Sequence, residues 1–177
     1  MLTLDAATSY TMIHFIADLH LGHANIIRHC GRPFLDAGHM DAAIIDAINA
    51  TVRPDDVLWI LGDFAYRGRS PRHYRDRIAC RDVRLLLGNH DRRSQCEGAG
   101  FTTVGDVAEI TIGQQRIWMS HYPHLSWPAS HRGSWHLYGH VHGKLADIGG
   151  RLMDVGVDAC NYRPVSLDAV AAYMESR

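Results

Sequence analysis

The chain has 177 residues, 46% of them apolar, and a formal net charge of −1. That content buries one sizeable core and leaves little room for a second domain or a large cap, so residues 1–177 read as one domain, and the near-neutral balance gives no global reason to expect nucleic acid or a membrane surface. No window approaches the ~18 apolar residues of a membrane span, residues 1–11 lack the layout of a signal peptide, and Cys30, Cys80, Cys96 and Cys160 are scattered without a C-x-x-C pair, which together predict a cytoplasmic protein with reduced thiols.

In chain order, Met12 to Ala17 reads as a buried strand. Met40 to Ala50 carries Ile44, Ile45 and Ile48 at helical spacing, with Asp41 and Asp46 expected on the solvent face. Val57 to Leu61 is the next strand, the Arg-rich stretch Pro71 to Cys80 a helix, and Val83 to Leu87 a third strand. Crossovers long enough for a helix make this half a βαβαβ unit with parallel strands. The second half turns to β structure. Val107 to Ile112 and Arg116 to Ser120 flank Gly113-Gln114-Gln115 and predict a hairpin. His136 to Tyr138 and Leu152 to Val157 read as further strands, and Ser166 as the N-cap of a last helix, Leu167 to Met174.

Five short segments punctuate this layout: Asp18-Leu19-His20, Gly62-Asp63, Gly88-Asn89-His90-Asp91, Ser120-His121 and Gly139-His140-Val141-His142. Most follow an apolar run, which places carboxylate, amide and imidazole donors on loops at strand ends. In Asp18-x-His20 and His140-x-His142 the partners are two apart, and in an extended backbone residues i and i+2 point to one side, so each pair is expected to converge. A carboxylate such as Asp63 can bridge two cations, and a shell rich in imidazole suits Mn, Fe, Zn or Co better than Mg or Ca. A binuclear centre with mixed nitrogen and oxygen ligands is the expectation.

Read in order, these segments resemble the calcineurin-like metallophosphoesterase superfamily. The resemblance implies a four-layered α/β sandwich, two facing mixed sheets flanked by helices, with the metals at strand ends. It implies two divalent transition metal ions, manganese foremost. Asp18, His20 and His142 would hold the first metal and Asn89, His121 and His140 the second, with Asp63 bridging them. His90 would be the catalytic residue, protonating the leaving oxygen or stabilising charge on phosphorus. The implied reaction is in-line attack by a metal-bridging hydroxide, which two cations held roughly 3.5–4 Å apart generate near neutral pH.

Two further residues are candidates for binding substrate. Arg67 stands in Gly62-Asp63-Phe64-Ala65-Tyr66-Arg67-Gly68, which resembles the G-D-x-x-D-R-G segment of phosphoprotein phosphatases, where the arginine binds phosphate. The chain departs from it at Tyr66, where those enzymes carry an aspartate that pairs with the catalytic histidine. His23 follows the first ligand pair and faces substrate or closes its loop. The other arginines of this segment read as compositional bias, since the chain holds 17 arginines against one lysine, Lys144. His14 reads as a packed strand histidine, and the remaining histidines, His136 among them, as surface or supporting residues. The segment Tyr122 to Trp127 and Trp135 read as loop packing ahead of a base-binding floor.

The expected function is therefore a metal-dependent phosphoesterase acting on small phosphate esters, diesters ahead of monoesters. A nuclease acting on single-stranded nucleic acid and a catalytically silent scaffold with the same fold are the alternatives. Retention of His90 beside seven candidate ligands weighs against the scaffold, which needs no general acid.

Overall fold

The computed structural model describes residues 11–177. The reading of residues 1–10 as free of a signal segment lies outside the described residues. Two sheets face each other. The first has the order β4-β3-β2-β1-β9, built from β1 (Ile13–Ile16), β2 (Val57–Leu61), β3 (Asp82–Leu86), β4 (Thr103–Gly105) and β9 (Val165–Ser166). Strands β1 to β4 are parallel, and β9 pairs antiparallel with β1. The second sheet, β5-β6-β7-β8, comprises β5 (Val107–Ile112), β6 (Gln115–Ser120), β7 (Trp135–Tyr138) and β8 (Leu152–Asp154). There β5 and β6 form the expected hairpin, and β6, β7 and β8 run parallel.

Strands of the first sheet are apolar on both faces, as buried parallel strands must be. One face, with Ile16, Leu58, Ile60, Val83 and Leu85, packs on the helical layer through Met40, Ile44 and Ile48. These come from α2 (Ala37–Thr51), which is capped by Asp36 accepting from His39 N. Each buried isoleucine there contributes on the order of 1.5–3 kcal/mol. The other face, with Phe15, Trp59, Leu61 and Leu86, meets Ile117, Met119 and Leu137 of the second sheet. The amphipathic α5 (Leu167–Glu175), N-capped by Ser166, inserts Val170 and Met174 into that inter-sheet core. The architecture is the α/β class expected, two mixed sheets with helices.

Over the outer face of the second sheet lies the loop 121–134, with a one-turn 3-10 helix at Ser130–Arg132. His136, fully buried there, is fixed as a neutral tautomer: Nδ1 donates to Trp118 O at 3.2 Å and Nε2 accepts from His124 N at 3.1 Å. Trp127 packs against the same ring, and Trp135 enters the inter-sheet core. His136 is thus a core residue, not a surface one.

Local chemistry explains the other departures. The helix α3 (Pro71–Arg75) stops early because Arg75 is buried and turns its guanidinium onto the carbonyls of Ile78, Cys80, Arg81 and Gly100, which hold the departing chain. The strand expected over Leu152–Val157 divides at Asp154, whose Oδ1 accepts from Gly156 N, and Val155–Val157 leaves β8 to pair with Ala17 of the first sheet. Asp41 is buried, not solvated, because its Oδ1 accepts Gly22 N at 2.8 Å. The helices α1 (Ala24–Cys30) and α4 (Arg93–Cys96) are too short for a periodic signal. The left-handed Gly31 that ends α1 was its one legible cue. Among the described residues, no helix is long and apolar enough to cross a membrane.

Candidate metal centre

Five strands of the two sheets deliver the motif residues to one edge. Asp18 and His20 follow β1, Asp63 follows β2, Asn89 and His90 follow β3, His121 follows β6, and His140 and His142 follow β7. The loops after β1 and β2 stay in register beyond the strands: Asp18 N donates to Gly62 O, His20 N to Asp63 O and Leu21 N to Phe64 O. This is the C-terminal edge, where function collects in open α/β sheets.

The two x-spaced pairs do not have the expected extended geometry. Asp18, His20, Asp63, His140 and His142 all have left-handed backbones, with φ of 58°, 52°, 53°, 71° and 51°. Each such conformation in a non-glycine residue costs about 1–3 kcal/mol and persists only where the surroundings over-determine it. Those surroundings are the backbone hydrogen bonds just described, together with the glycines of the motifs. A Cβ on Gly62 would strike the His121 ring, and one on Gly88 would strike the Asp63 carboxylate. On Gly139 it would stand 2.8 Å from Asp18 Oδ2 and on Gly156 2.6 Å from the same atom. The glycines are the space the ligand side chains occupy.

Side-chain atoms converge in this space. Asp63 Oδ2 lies 3.3 Å from His20 Nε2, 3.5 Å from His121 Nε2 and 4.0 Å from His90 Nε2. Asn89 Oδ1 lies 3.2 Å from His121 Nε2 and 3.1 Å from His140 Nδ1. Three groups, Asp18/His20/His142, Asp18/Asp63/His121 and His20/Asp63/His90, have donor atoms mutually within 4.8 Å, close enough to hold a metal ion. His20 Nε2 is buried without a hydrogen-bond partner, and an orphaned imidazole nitrogen aimed at two carboxylates fits a cation. His121 is oriented for the same purpose, donating from Nδ1 to Leu61 O at 2.9 Å and presenting Nε2.

Electrostatics agree with a site built for positive charge. Burial raises the pKa of Asp18 to about 7, and lowers that of His20 to about 3. For Asp63 burial opposes ionisation, but the hydrogen bond and charge of His121 outweigh it and bring the carboxyl down to about 2. For His142 burial is likewise outweighed, by its hydrogen bond to Asp158, and its pKa rises.

Residues that are not themselves candidate ligands support them. Asp158 Oδ2 accepts His142 Nδ1 at 2.6 Å, which turns Nε2 toward Asp18 and His20. The buried Arg32 grips Asp158 through two hydrogen bonds of 2.7 and 2.9 Å and donates to the carbonyls of Asp18 and Leu19. Asp91 accepts the backbone N–H groups of Asp63, Phe64 and Gly88, and burial raises its pKa to about 6. None of the three stands out in the sequence as a ligand. Asp91 alone lies within a segment read as functional.

His23 stacks on Tyr66, with ring centroids 3.6 Å apart and planes 9° apart. Its Nδ1 is 3.5 Å from His20 Nδ1, so the stacked pair forms a wall of the site beside His90. Arg67 is exposed and lines a cavity that His90 also lines. Tyr122, 46% exposed, sits against the His140 ring on the opposite rim.

No protein-family model matches the chain. It is 29% identical over 175 residues to an uncharacterized protein of Methanocaldococcus jannaschii, covering 94% of this chain and 93% of that one. It superposes with a TM-score of 0.75 and 21% identity on the crystal structure of a protein of unknown function from Aquifex aeolicus, covering 93% of this chain and all of the other. With a TM-score of 0.50 and 15% identity it superposes on a novel archaeal phosphodiesterase, over 82% of each chain. The fold is shared with a phosphodiesterase. At these identities the likeness concerns the fold, and the function must be argued from the side chains.

Proposed function

We propose that this chain is a calcineurin-like metallophosphoesterase: a binuclear metal-dependent hydrolase that cleaves phosphate esters, small-molecule or nucleotide diesters ahead of monoesters. The observation that carries this reading is the position of Asp63, one carboxylate oxygen facing His20, His121 and His90 at once. In this reading Asp18, His20 and His142 would hold one cation and Asn89, His121 and His140 the other, with Asp63 as the carboxylate available to both. The donor set favours manganese, iron, zinc or cobalt, and manganese is the first to test. Bound there, the pair supplies Lewis acidity at the phosphoryl oxygens and an activated water near neutral pH.

The chain's own residues do the remainder. His90, with its side chain 35% exposed at the rim, hands a proton from its ring to the leaving oxygen. The stacked His23 and Tyr66 hold one flank of the ester, and Arg67 offers a guanidinium fork to phosphate. Tyr66 replaces the partner aspartate of the phosphoprotein phosphatases and cannot anchor His90 with a charge, which weighs against protein phosphatase activity. Four cysteines without disulfide partners agree with the cytoplasm, and residues 1–177 act as one catalytic domain.

The test is hydrolysis of bis(p-nitrophenyl) phosphate and p-nitrophenyl phosphate by metal-stripped protein reloaded with manganese. Diester turnover should exceed monoester turnover. No turnover of either ester with two metals bound would overturn the reading in favour of a silent scaffold.

A further inference from the structure

A cavity of about 380 Å³ opens beside His90, lined by Tyr66, Arg67, Arg69, Arg92 and Gln95. Its arginines differ from most in this chain. Eight arginines elsewhere meet a carboxylate within 4.0 Å, and Arg75 is held by carbonyls. Among the described residues Arg67 and Arg92 have no ion pair and no side-chain hydrogen bond, and Arg69 meets only His73 Nε2, at 2.8 Å. The neighbouring Arg93 shows the contrast, turned away onto Asp106 at 2.7 Å.

Three permanently charged guanidinium groups round one cavity repel each other unless an anion joins them. The one carboxylate on the wall, Asp91, turns its oxygens onto three backbone N–H groups, and among the described residues it forms no ion pair with any of the three arginines. The cavity therefore calls for negative charge from outside. Its place relative to the chemistry says where that charge sits on the ligand. His90 stands between the cavity and Asp63, and a general acid faces the leaving group, so what fills the cavity is attached to the leaving oxygen.

We propose that this cavity is a subsite for a second phosphate, carried by the leaving group of the ester, with Arg67, Arg69 and Arg92 as its ligands. The leaving-group assignment rests on the phosphoesterase reading above; the anion site itself does not. A nucleotide strand and a polyphosphate ester both present such a group. In either case the enzyme selects anionic leaving groups over neutral ones.

Calorimetry on the manganese-loaded protein tests this with thymidine 5′-monophosphate, thymidine 3′,5′-bisphosphate and thymidine 5′-diphosphate. One of the doubly phosphorylated ligands should bind ~10–100-fold more tightly than the monophosphate, the worth of a charge-assisted hydrogen-bonded pair. Preference for the bisphosphate assigns the site to a strand-like leaving group, and preference for the diphosphate to a polyphosphate. Arg69→Ala and Arg92→Ala should each remove most of that advantage, while Arg132→Ala, on the distant 3-10 turn, should keep it. Equal affinity for all three ligands would overturn the subsite, as would an advantage that survives both substitutions. Hydrolysis of bis(p-nitrophenyl) phosphate run in parallel separates the two claims. An arginine-dependent advantage without hydrolysis keeps the subsite and sinks the phosphodiesterase reading, and hydrolysis without any advantage does the reverse.

Discussion

The two flanks of the candidate metal centre are built differently. On the Asp18 side the supports are buried: Arg32, 4% exposed, ties Asp158 to the carbonyls of Asp18 and Leu19, and Asp158 aims His142. On the Asn89 side, Asn89 and His90 are exposed, and the contacts of the Asn89 amide oxygen are with His121 and His140, themselves candidate ligands. A buried, cross-braced flank holds its geometry before any ligand arrives, whereas an open one takes its shape with the cation and the ester. In the proposed reading the first flank positions and the second admits substrate. Asp63 belongs to both.

Asp63→Ala should therefore have the largest effect of any single change. It removes the one oxygen shared between the flanks, so metal content measured by elemental analysis should fall below two per chain and diester turnover below detection. A variant that keeps two metals would break the comparison, because the flanks would then be independent sites. Next comes His90→Ala, on the open flank alone. It should lower kcat by ~10²–10⁴-fold while both metals stay bound. Loss of metal in that variant would make His90 a ligand, a role its place in the His20/Asp63/His90 group leaves geometrically open.

Asp158→Asn probes the braced flank. The amide keeps the shape but gives up the charge that raises the pKa of His142 and pairs with Arg32. Loss of such an outer partner typically costs 10–100-fold in metal affinity, and competition with a chelator should show about that loss at one of two metals. Equal weakening at both would mean that the brace serves the whole site.

The candidate ligands were legible because donor type and short spacing are local properties: D-x-H, G-N-H-D and G-H-x-H declare themselves within four residues. Their supports were not. Arg32 and Asp158 meet across 126 positions, and Asp41 reaches Gly22 from a helix face whose periodicity reads as solvated. The parallel first sheet was legible from its apolar runs, and the hairpin of β5 and β6 from its turn. The two-residue β9 and the division of the last long strand at Asp154 depend on tertiary pairing with β1 and Ala17, which no local pattern encodes. The left-handed backbones of the ligand pairs escaped for a related reason. Neighbouring glycines and crossing carbonyls impose that strain, against the preference of the residues themselves.

The smallest expected effect lies outside both flanks, on the outer face of β7, the strand that delivers His140. Burial lowers the pKa of His136 from 6.5 to about 4, since protonation would leave a charge in the core and cost Nε2 its bond from His124 N. The unfolded chain takes up the proton first. Stability is therefore complete above pH 6.5 and declines as pH falls toward the folded value of about 4. From about pH 7 to about pH 5.5 the loss from this one group is about 1 kcal/mol. Urea unfolding of metal-stripped protein at both pH values isolates it from the metal site. In His136→Gln, which has no imidazole to titrate, stability should fall by about 1 kcal/mol less over the same interval. If variant and wild type lose the same amount, His136 takes up its proton in the fold as it does in the unfolded chain, and the neutral clamp over the second sheet is wrong. If they differ as expected, the scaffold beneath His140 weakens with acid independently of the candidate metal centre, and any loss of the proposed activity in acid has a cause outside the candidate ligands.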